Sequence, residues 1–318
     1  FFLMCGIAGY LSFSQPPHED RLRRMCDAIV HRGPDDYGSY VDPQCAIGMR
    51  RLSIIDLSTG HQPIANEDET MWIVFNGEIY NFPELRVELE SLGHRFRTRS
   101  DTEAILHLYE QYGADAVSKL RGMFAFAIWD TRRGELFLAR DRFGKKPLYV
   151  SRRTDGLYFG SELKCLRAAG LSFRRDEEAL RWYFLLNHIP DPLTCYQEVT
   201  KLPAGGWMRV GRDGKQTEGR YWRLPVPAET APEGLTRAQA ELELRERFDD
   251  SVKARLLADV PLGAFLSGGI DSTLVVAAMA KLTGQPVKTF SIGFQEPAYD
   301  ETAQARESAV FYGTEHHE

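Results

Sequence analysis

The chain has 318 residues, enough for about two domains at roughly 150 residues each. An apolar fraction of 43% with 26% charged residues excludes disordered and fibrous classes, and no apolar run reaches the roughly 18 residues of a membrane span. A net charge of −6, from 39 basic and 45 acidic residues, argues against a nucleic-acid binder, and five cysteines without a Cys-x-x-Cys pair fit a reducing, cytoplasmic setting.

At the start, Phe1-Phe2-Leu3 precede Met4-Cys5. Without a basic n-region this is neither a secretory signal nor a lipoprotein leader, and Met4 is read as the initiator. Its removal leaves Cys5 as the first residue, with an α-amine titrating near about 8. Such an amine can deprotonate a neighbouring thiol, and the thiolate can attack a carbonyl to form an acyl-enzyme. A free cysteine is more often a small hydrophobe buried at a strand edge, so position alone leaves catalysis the minority reading.

From Asp20 to Val30, Leu22, Met25, Cys26 and Ile29 fall on one helical face, stopped by Gly33-Pro34. A second helix is expected over Pro83–Leu92, with Asn81 near its cap and Gly93 as its stop. A third starts at Ser100, where Ser100 and Glu103 suggest a capping box, and buries Ile105, Leu108, Tyr109 and Tyr112. Strands are expected at Cys45–Ile55, Met71–Asn76, Met123–Asp130, Glu135–Asp141, Pro147–Arg152 and Leu157–Ser161. Met123–Trp129 is apolar on both faces, which implies sheets covered on both sides.

Glycines and prolines between 211 and 235, among them Pro227 and Pro232, read as a linker. Beyond it, Thr236 and Gln239 cap a long helix on which Leu244, Phe248, Val252 and Leu256 step by four. A buried strand at Pro261–Leu266, a helix at Asp271–Leu282 and a strand at Val287–Phe294 follow, then a helix over about 300–312. Strand, helix, strand is the unit of a parallel doubly wound sheet.

Five short segments occur in register: Met4-Cys5-Gly6-Ile7-Ala8-Gly9, His31-Arg32-Gly33-Pro34-Asp35, Arg51-Leu52-Ser53-Ile54-Ile55-Asp56, Asn76-Gly77-Glu78-Ile79-Tyr80-Asn81 and Ser100-Asp101-Thr102-Glu103. Together they resemble the N-terminal-nucleophile glutaminase half of the glutamine-hydrolysing asparagine synthetases. Gly122–Ala127, Arg140-Asp141-Arg142 and Gly160-Ser161-Glu162-Leu163-Lys164 extend the likeness. The resemblance implies an α+β, four-layer αββα glutaminase domain over residues 4–222, with Cys5, Asn76 and Gly77 catalytic. It implies a glutamine site at Arg51, Leu52, Ser53, Ile54, Ile55, Asn76, Gly77, Glu78 and Asp101.

Glutamine carries a carboxylate, an ammonium and a neutral amide, so its site needs a cation, an anion and an oxyanion hole. Arg51 can pair with the carboxylate bidentately. A sheet-edge arginine is the plain alternative, and Arg50-Arg51 poses a question of register that the family pattern settles on Arg51. Asp101 would hold the ammonium, although an acid in the first turn of a helix also serves the helix dipole. Asn76 and Gly77 would supply the oxyanion hole. Asn-Gly is also a hairpin signal, and a turn ending the strand is compatible with that role.

Leu266-Ser267-Gly268-Gly269-Ile270-Asp271-Ser272 lies between a strand and a helix, where backbone N–H groups and a helix N-terminus can receive an anion. A glycine-rich helix start with Asp271 and Ser272 as caps is the alternative. The loop lacks the Gly-Lys-Ser/Thr element of a Walker A motif and resembles the pyrophosphate loop of the ATP-pyrophosphatase fold. That likeness implies the start of an α/β doubly wound ATP-pyrophosphatase domain over 236–318. It also implies an ATP site at Leu266, Ser267, Gly268, Gly269, Asp271, Ser272 and Ile292, with Mg2+ bridging the phosphates. His316-His317-Glu318 are not read as metal ligands, because successive residues of an extended segment face opposite ways. They are expected to begin the next strand.

The expected function is glutamine-dependent asparagine synthesis. Cys5 would hydrolyse glutamine through a thioester, and ammonia would pass internally to amidate aspartate activated as β-aspartyl-AMP. Another carboxylate acceptor and a non-catalytic glutaminase-fold binding protein are the rivals. Partners are the small molecules glutamine, ATP and aspartate, with neither nucleic acid nor membrane; a homodimer is the commonest default. With 83 residues from 236 onward and two parallel strands, the second domain is expected to be only its nucleotide-binding front, unable alone to make asparagine.

Overall fold

The computed structural model describes residues 4–226 and 234–318; Phe1–Leu3, Pro227 and Pro232 lie outside the described residues. The chain divides into two units, one ending at Pro225 and the other starting at Val226. In the first unit, β1 (Gly6–Ser12), α1 (Glu19–Asp27), β2 (Asp36–Val41) and β3 (Cys45–Arg51) come first. Next are β4 (Ile64–Ala65), β5 (Met71–Ile79), α2 (Phe82–Ser91), α3 (Asp101–Tyr112), α4 (Ala116–Lys119), β6 (Gly122–Asp130) and β7 (Glu135–Arg140). It ends with β8 (Tyr149–Arg152), β9 (Gly156–Gly160), α5 (Leu163–Ala168), α6 (Glu177–Leu186), β10 (Thr200–Lys201), β11 (Gly206–Gly211) and β12 (Gln216–Arg220).

Two antiparallel sheets result, ordered β10-β8-β9-β1-β3-β2 and β12-β11-β7-β6-β5-β4. The double-sided pattern of β6 explains how they stack. Phe124, Phe126 and Ile128 pack with Ile105, Leu106, Leu108 and Tyr109 of α3. Ala125, Ala127 and Trp129 pack with Ile7, Leu11, Ile47 and Met49 of the other sheet. That sheet's outer face, through Ala8, Tyr10 and Ala46, is covered by Leu22, Met25, Cys26 and Ile29 and by Cys165 and Leu166 of α5. Helices, sheet, sheet, helices is the expected αββα stack.

Several local expectations need correction. The strand expected to Ile55 ends at Arg51, because the next residues form a loop around the Arg51 guanidinium. The segment read as linker from 211 contains β12, paired with β11 from Gly206↔Arg220 to Val210↔Gln216. β12 and β2 are polar edge strands, held by a neighbour's backbone and carrying little apolar alternation. The capping box at α3 is half formed. Ser100 Oγ accepts from Thr102 N at 3.2 Å, but Ser100 N already donates to the Thr98 hydroxyl. Glu103 instead accepts from Arg97 N, Thr98 N and Thr98 Oγ1 at 2.6–2.7 Å.

The second unit runs α7 (Arg237–Lys253), β13 (Gly263–Phe265), α8 (Ile270–Thr283), β14 (Lys288–Phe290), α9 (Thr302–Tyr312) and β15 (Glu315–His317). Thr236 and Gln239 form a full capping box on α7. Of its expected apolar stripe, Val252 is buried with Ala278, Met279 and Val287, Phe248 and Leu256 pack against that cluster, and Leu244 is exposed. The three strands are parallel in the order β13-β14-β15, the two counted from periodicity and the next strand expected after them. The third is the segment of the adjacent histidines. His316 Nδ1 lies 2.9 Å from Thr289 Oγ1, while the His317 ring stacks on Phe290.

Candidate active site

Cys5 immediately precedes β1, whose position is set from both sides. Ile7 N donates to Ser161 Oγ and Ser161 N to Ile7 O, both at 2.9 Å. Arg32 Nε donates to Cys5 O at 3.0 Å, and Glu162 takes a second donor of the same guanidinium at 3.1 Å. These bonds account for the short segments around Arg32 and Ser161-Glu162: they hold the backbone that carries the thiol. The sulfur itself accepts from Leu52 N at 3.3 Å. Burial pushes the thiol pKa up, opposed by that N–H and by the charges of Arg51 and Lys146.

Asn76 and Gly77 lie inside β5, not in a turn at its end; pairing with β6 continues through Gly77↔Phe124 and Ile79↔Gly122. A Cβ on Gly77 would come 2.1 Å from Met123 O, so the close approach of β6 requires glycine here. On its other side β5 meets β4 only at Trp72 and Ile73, leaving an open edge beyond. Along this edge Phe75 N donates to Gln62 Oε1 at 2.7 Å and Ile79 N to Asp101 Oδ2 at 2.9 Å. Backbone N–H groups two residues apart point the same way in a strand, so Gly77 N–H lies on that edge between them. The Asn76 side chain is fully buried, and neither its Oδ1 nor its Nδ2 has a hydrogen-bond partner. A buried amide left so costs about 1–3 kcal/mol, a cost that a bound ligand would remove.

Arg51 ends β3 and turns into the cleft, with Nη2 bonded to Ile55 O at 2.9 Å and Asp56 O at 2.6 Å. Arg50 points elsewhere, pairing with Asp27 and lying over the Tyr37 ring. The loop after Arg51 is shaped by Asp56, whose carboxylate accepts from Thr59 N and Arg99 N. Cys5, Arg51, Leu52, Ile54, Ile55, Gln62, Asn76, Gly77, Glu78, Asp101 and Lys146 line one cleft. Ser53 is not among the lining residues; its N–H is tied to Asp35 Oδ2.

Asp101 is 4% exposed. Burial, reinforced by the Glu78 carboxylate and only partly offset by the Ile79 N–H, raises its pKa to about 7. Between the unfolded value near about 4 and that folded value, the native state holds a proton the unfolded chain lacks. Stability therefore falls as pH rises through this window. Asp101→Asn is expected to raise Tm at pH 8 and to flatten that decline, as measured by thermal unfolding across pH.

Lys146, which the sequence reading did not single out, lines the same cleft. A turn holds it: Asp141 accepts from the backbone N–H groups of Phe143, Lys145 and Lys146, and Arg140 donates to Gly144 O and Lys146 O. Burial lowers the Lys146 pKa, while Glu78 and Cys5 raise it. The Arg140-Asp141 pair was a visible signal, but only the turn shows what it aims.

In the second unit a separate cleft opens at the C-terminal ends of β13 and β14, where doubly wound sheets bind ligands. Of the expected nucleotide contacts, Leu266, Ser267, Ser272 and Ile292 line it, beside Phe290, Tyr299 and Glu301; Gly268, Gly269 and Asp271 are not among the lining residues. Gly268 has φ +76°, and a Cβ there would come 2.6 Å from Gln304 Cβ, so the loop's approach to α9 demands glycine. Ser267 and Ser272 hydroxyls meet at 3.0 Å, closing the loop onto the start of α8.

Residues 4–222 match the family model described as glutamine amidotransferase domain. The chain belongs to the glutamine amidotransferase family. Residues 243–318 match the model described as asparagine synthase. Asparagine synthetase [glutamine-hydrolyzing] 1 of Bacillus subtilis is 43% identical over 98% of this chain and 49% of its own length. A putative asparagine synthetase [glutamine-hydrolyzing] 2 of Methanocaldococcus jannaschii is 37% identical over 99% and 64%, and a Zea mays asparagine synthetase is 36% identical over 99% and 50%. The chain thus spans about half to two thirds of the length of these relatives. Among solved structures, the glutamine phosphoribosylpyrophosphate amidotransferase of B. subtilis superposes with a TM-score of 0.51 at 18% identity, covering 98% of this chain and 65% of its own. That likeness establishes the amidotransferase fold. Among the described residues, no helix is long and apolar enough to cross a membrane.

Proposed function

We propose that the first unit hydrolyses glutamine and that the whole protein uses the ammonia to make asparagine. The observation that carries this reading is the buried, partnerless Asn76 amide in the cleft that also presents Cys5, Arg51 and Asp101. In this mechanism the Cys5 α-amine, free once Met4 is removed, takes the thiol proton, and the sulfur attacks the glutamine side-chain carbonyl. Asn76 Nδ2 and Gly77 N–H receive the oxyanion. The protonated amine gives that proton to the amide nitrogen, ammonia leaves as the thioester forms, and water then hydrolyses the thioester to glutamate and the free thiol. Arg51 pairs with the substrate carboxylate. Asp101, helped by Glu78, takes the ammonium, whose charge favours the ionised carboxylate. Leu52, Ile54 and Ile55 wall the site.

The second unit would bind ATP across the Leu266–Ser272 loop, with Ile292 against the nucleotide. Magnesium keeps most of its waters and takes phosphate oxygens with one or two carboxylates. Glu301 in the cleft and Asp271 in the first turn of α8 fit that donor set, and the ion would neutralise charge on the phosphates. Aspartate is the acceptor favoured by the curated relatives' names. Free thiols at Cys5, Cys26, Cys45, Cys165 and Cys195 support a reducing, cytoplasmic setting.

The test is glutamine-dependent AMP formation by the full-length protein with a panel of carboxylates. Aspartate should be the active member, with one asparagine per AMP. AMP formation with another carboxylate and none with aspartate would replace the acceptor and leave the glutaminase intact. Absence of glutamate release by a chain beginning at Cys5 would overturn the first step.

A further inference from the structure

Away from this cleft, four side chains from three segments of the first unit converge. Glu67 lies in the β4–β5 loop and His94 in the connection after α2; His107 and Glu110 stand one turn apart on α3. Each offers one ligand atom, and the four atoms lie within 4.8 Å of one another. His94 Nδ1 is 3.4 Å from Glu67 Oε1 and 3.7 Å from Glu110 Oε2; His107 Nδ1 is 3.4 Å from Glu67 Oε2 and 3.6 Å from Glu110 Oε2. These separations exceed the roughly 2.7–2.9 Å of a charge-assisted hydrogen bond. They lie within a few tenths of an ångström of the edge, about 3.4 Å, of a tetrahedron of nitrogen and oxygen ligands about 2.0–2.1 Å from a zinc ion, with Glu67 offering either oxygen.

A second observation is independent of the clustering. His107 is completely buried, and neither ring nitrogen has a hydrogen-bond partner; Glu110 Oε2 is likewise buried and partnerless. Polar groups also stand around the cluster. His94 Nε2 faces Gln111 Oε1 at 3.3 Å, and His107 Nε2 faces Glu103 Oε1 at 3.5 Å. Glu110 Oε1 accepts from Asn66 Nδ2 at 3.2 Å, and Glu67 Oε1, the oxygen nearer His94, accepts from Arg95 N at 2.9 Å. Carboxylate and amide groups behind ligating imidazoles fix the ring and leave the inner nitrogen for the metal. None of the four lines the Cys5 cleft.

We propose that Glu67, His94, His107 and Glu110 bind one zinc ion in a structural site that pins the β4–β5 loop and the α2–α3 connection to α3. Two imidazoles and two carboxylates in a closed tetrahedral arrangement suit zinc over magnesium or calcium, which take oxygen ligands at higher coordination number. The rival occupant is a proton. Burial disfavours an imidazolium at His107, but Glu103, Glu110 and Glu67 outweigh it and hold the pKa at about 9 when no metal is present.

The experiment uses the 318-residue chain without a polyhistidine tag, stripped with a chelator and dialysed against zinc. Element analysis should find one zinc per chain, and cobalt(II) should give the visible bands of a tetrahedral N2O2 centre. His94→Gln and Glu110→Gln should each weaken zinc binding by more than the roughly 10–100-fold of an outer-shell change, and Cys5→Ala should leave it unchanged. Zinc should raise Tm in the parent and not in those two variants. His94 is the primary variant because it sits in a connection, so its folding is checked separately from metal content. A folded chain that takes up no zinc, or takes the same amount after His94→Gln and Glu110→Gln, overturns the proposal in favour of an imidazolium cage. Glutamine turnover is not the readout, so failure here is separate from failure of the proposed function.

Discussion

With Cys5→Ala, glutamate release from glutamine is expected to fall on the order of 10⁴-fold or more, because no other thiol stands in the cleft and only binding and the oxyanion donors remain. The other four cysteines belong elsewhere. Cys26, Cys45 and Cys165 are buried in the core, where burial raises each thiol pKa. The Cys5 sulfur hydrogen-bonds with the Leu52 backbone and packs at the edge of the inter-sheet core, while the bond from Arg32 goes to the Cys5 carbonyl and survives the substitution, so Tm should stay close to that of the parent. A companion variant isolates the base. In a chain with Met4 still joined, the Cys5 nitrogen is an amide and cannot accept the thiol proton, so turnover should be equally low. Met4 also occupies part of the cleft, its sulfur 2.9 Å from Lys146 Nζ. Intact mass on an active sample should show Cys5 as the first residue. Activity with Met4 attached would refute the amine as base, and turnover by Cys5→Ala would refute the nucleophile.

Asn76→Ala is expected to lower kcat for glutamine about 10²–10³-fold, the usual effect of removing one oxyanion donor, with a much smaller change in KM. Stability should move the other way from an ordinary core truncation. The amide is buried without a partner, so deleting it removes a desolvation cost that offsets the small cavity left behind. An unchanged or raised Tm alongside the kinetic loss is the combined signature. A loss of Tm of several degrees with unchanged kcat would make Asn76 a structural residue of β5.

Much of the first unit was readable because its elements carry strong local signals. The period of Leu22, Met25, Cys26 and Ile29 and the two apolar faces of Met123–Trp129 led to α1, β6 and the four layers. The polar edge strands β2 and β12 were missed because backbone pairing, not side-chain pattern, makes them strands. Asn76-Gly77 shows the limit of a dipeptide signal. Locally it reads as a turn, yet nine paired residues of β5 and β6 keep it extended. The Arg50-Arg51 ambiguity likewise has a physical resolution, because adjacent residues at the end of β3 face opposite sides and only one can enter the cleft.

What the sequence by itself determined is the chemical inventory: a cysteine able to become the first residue, a cation, an acid, an amide beside a glycine, and a loop suited to phosphate. Each is a residue type at a recognisable local spacing. Tertiary structure alone decided which groups share a cleft. It bent the Arg140-Asp141 turn so that Lys146 lines the same cleft as Cys5, left Asn76 without a partner, and gathered Glu67, His94, His107 and Glu110 from separate segments of chain. Such convergence depends on strand order and layer packing, because residues distant in sequence become neighbours only after the core has closed.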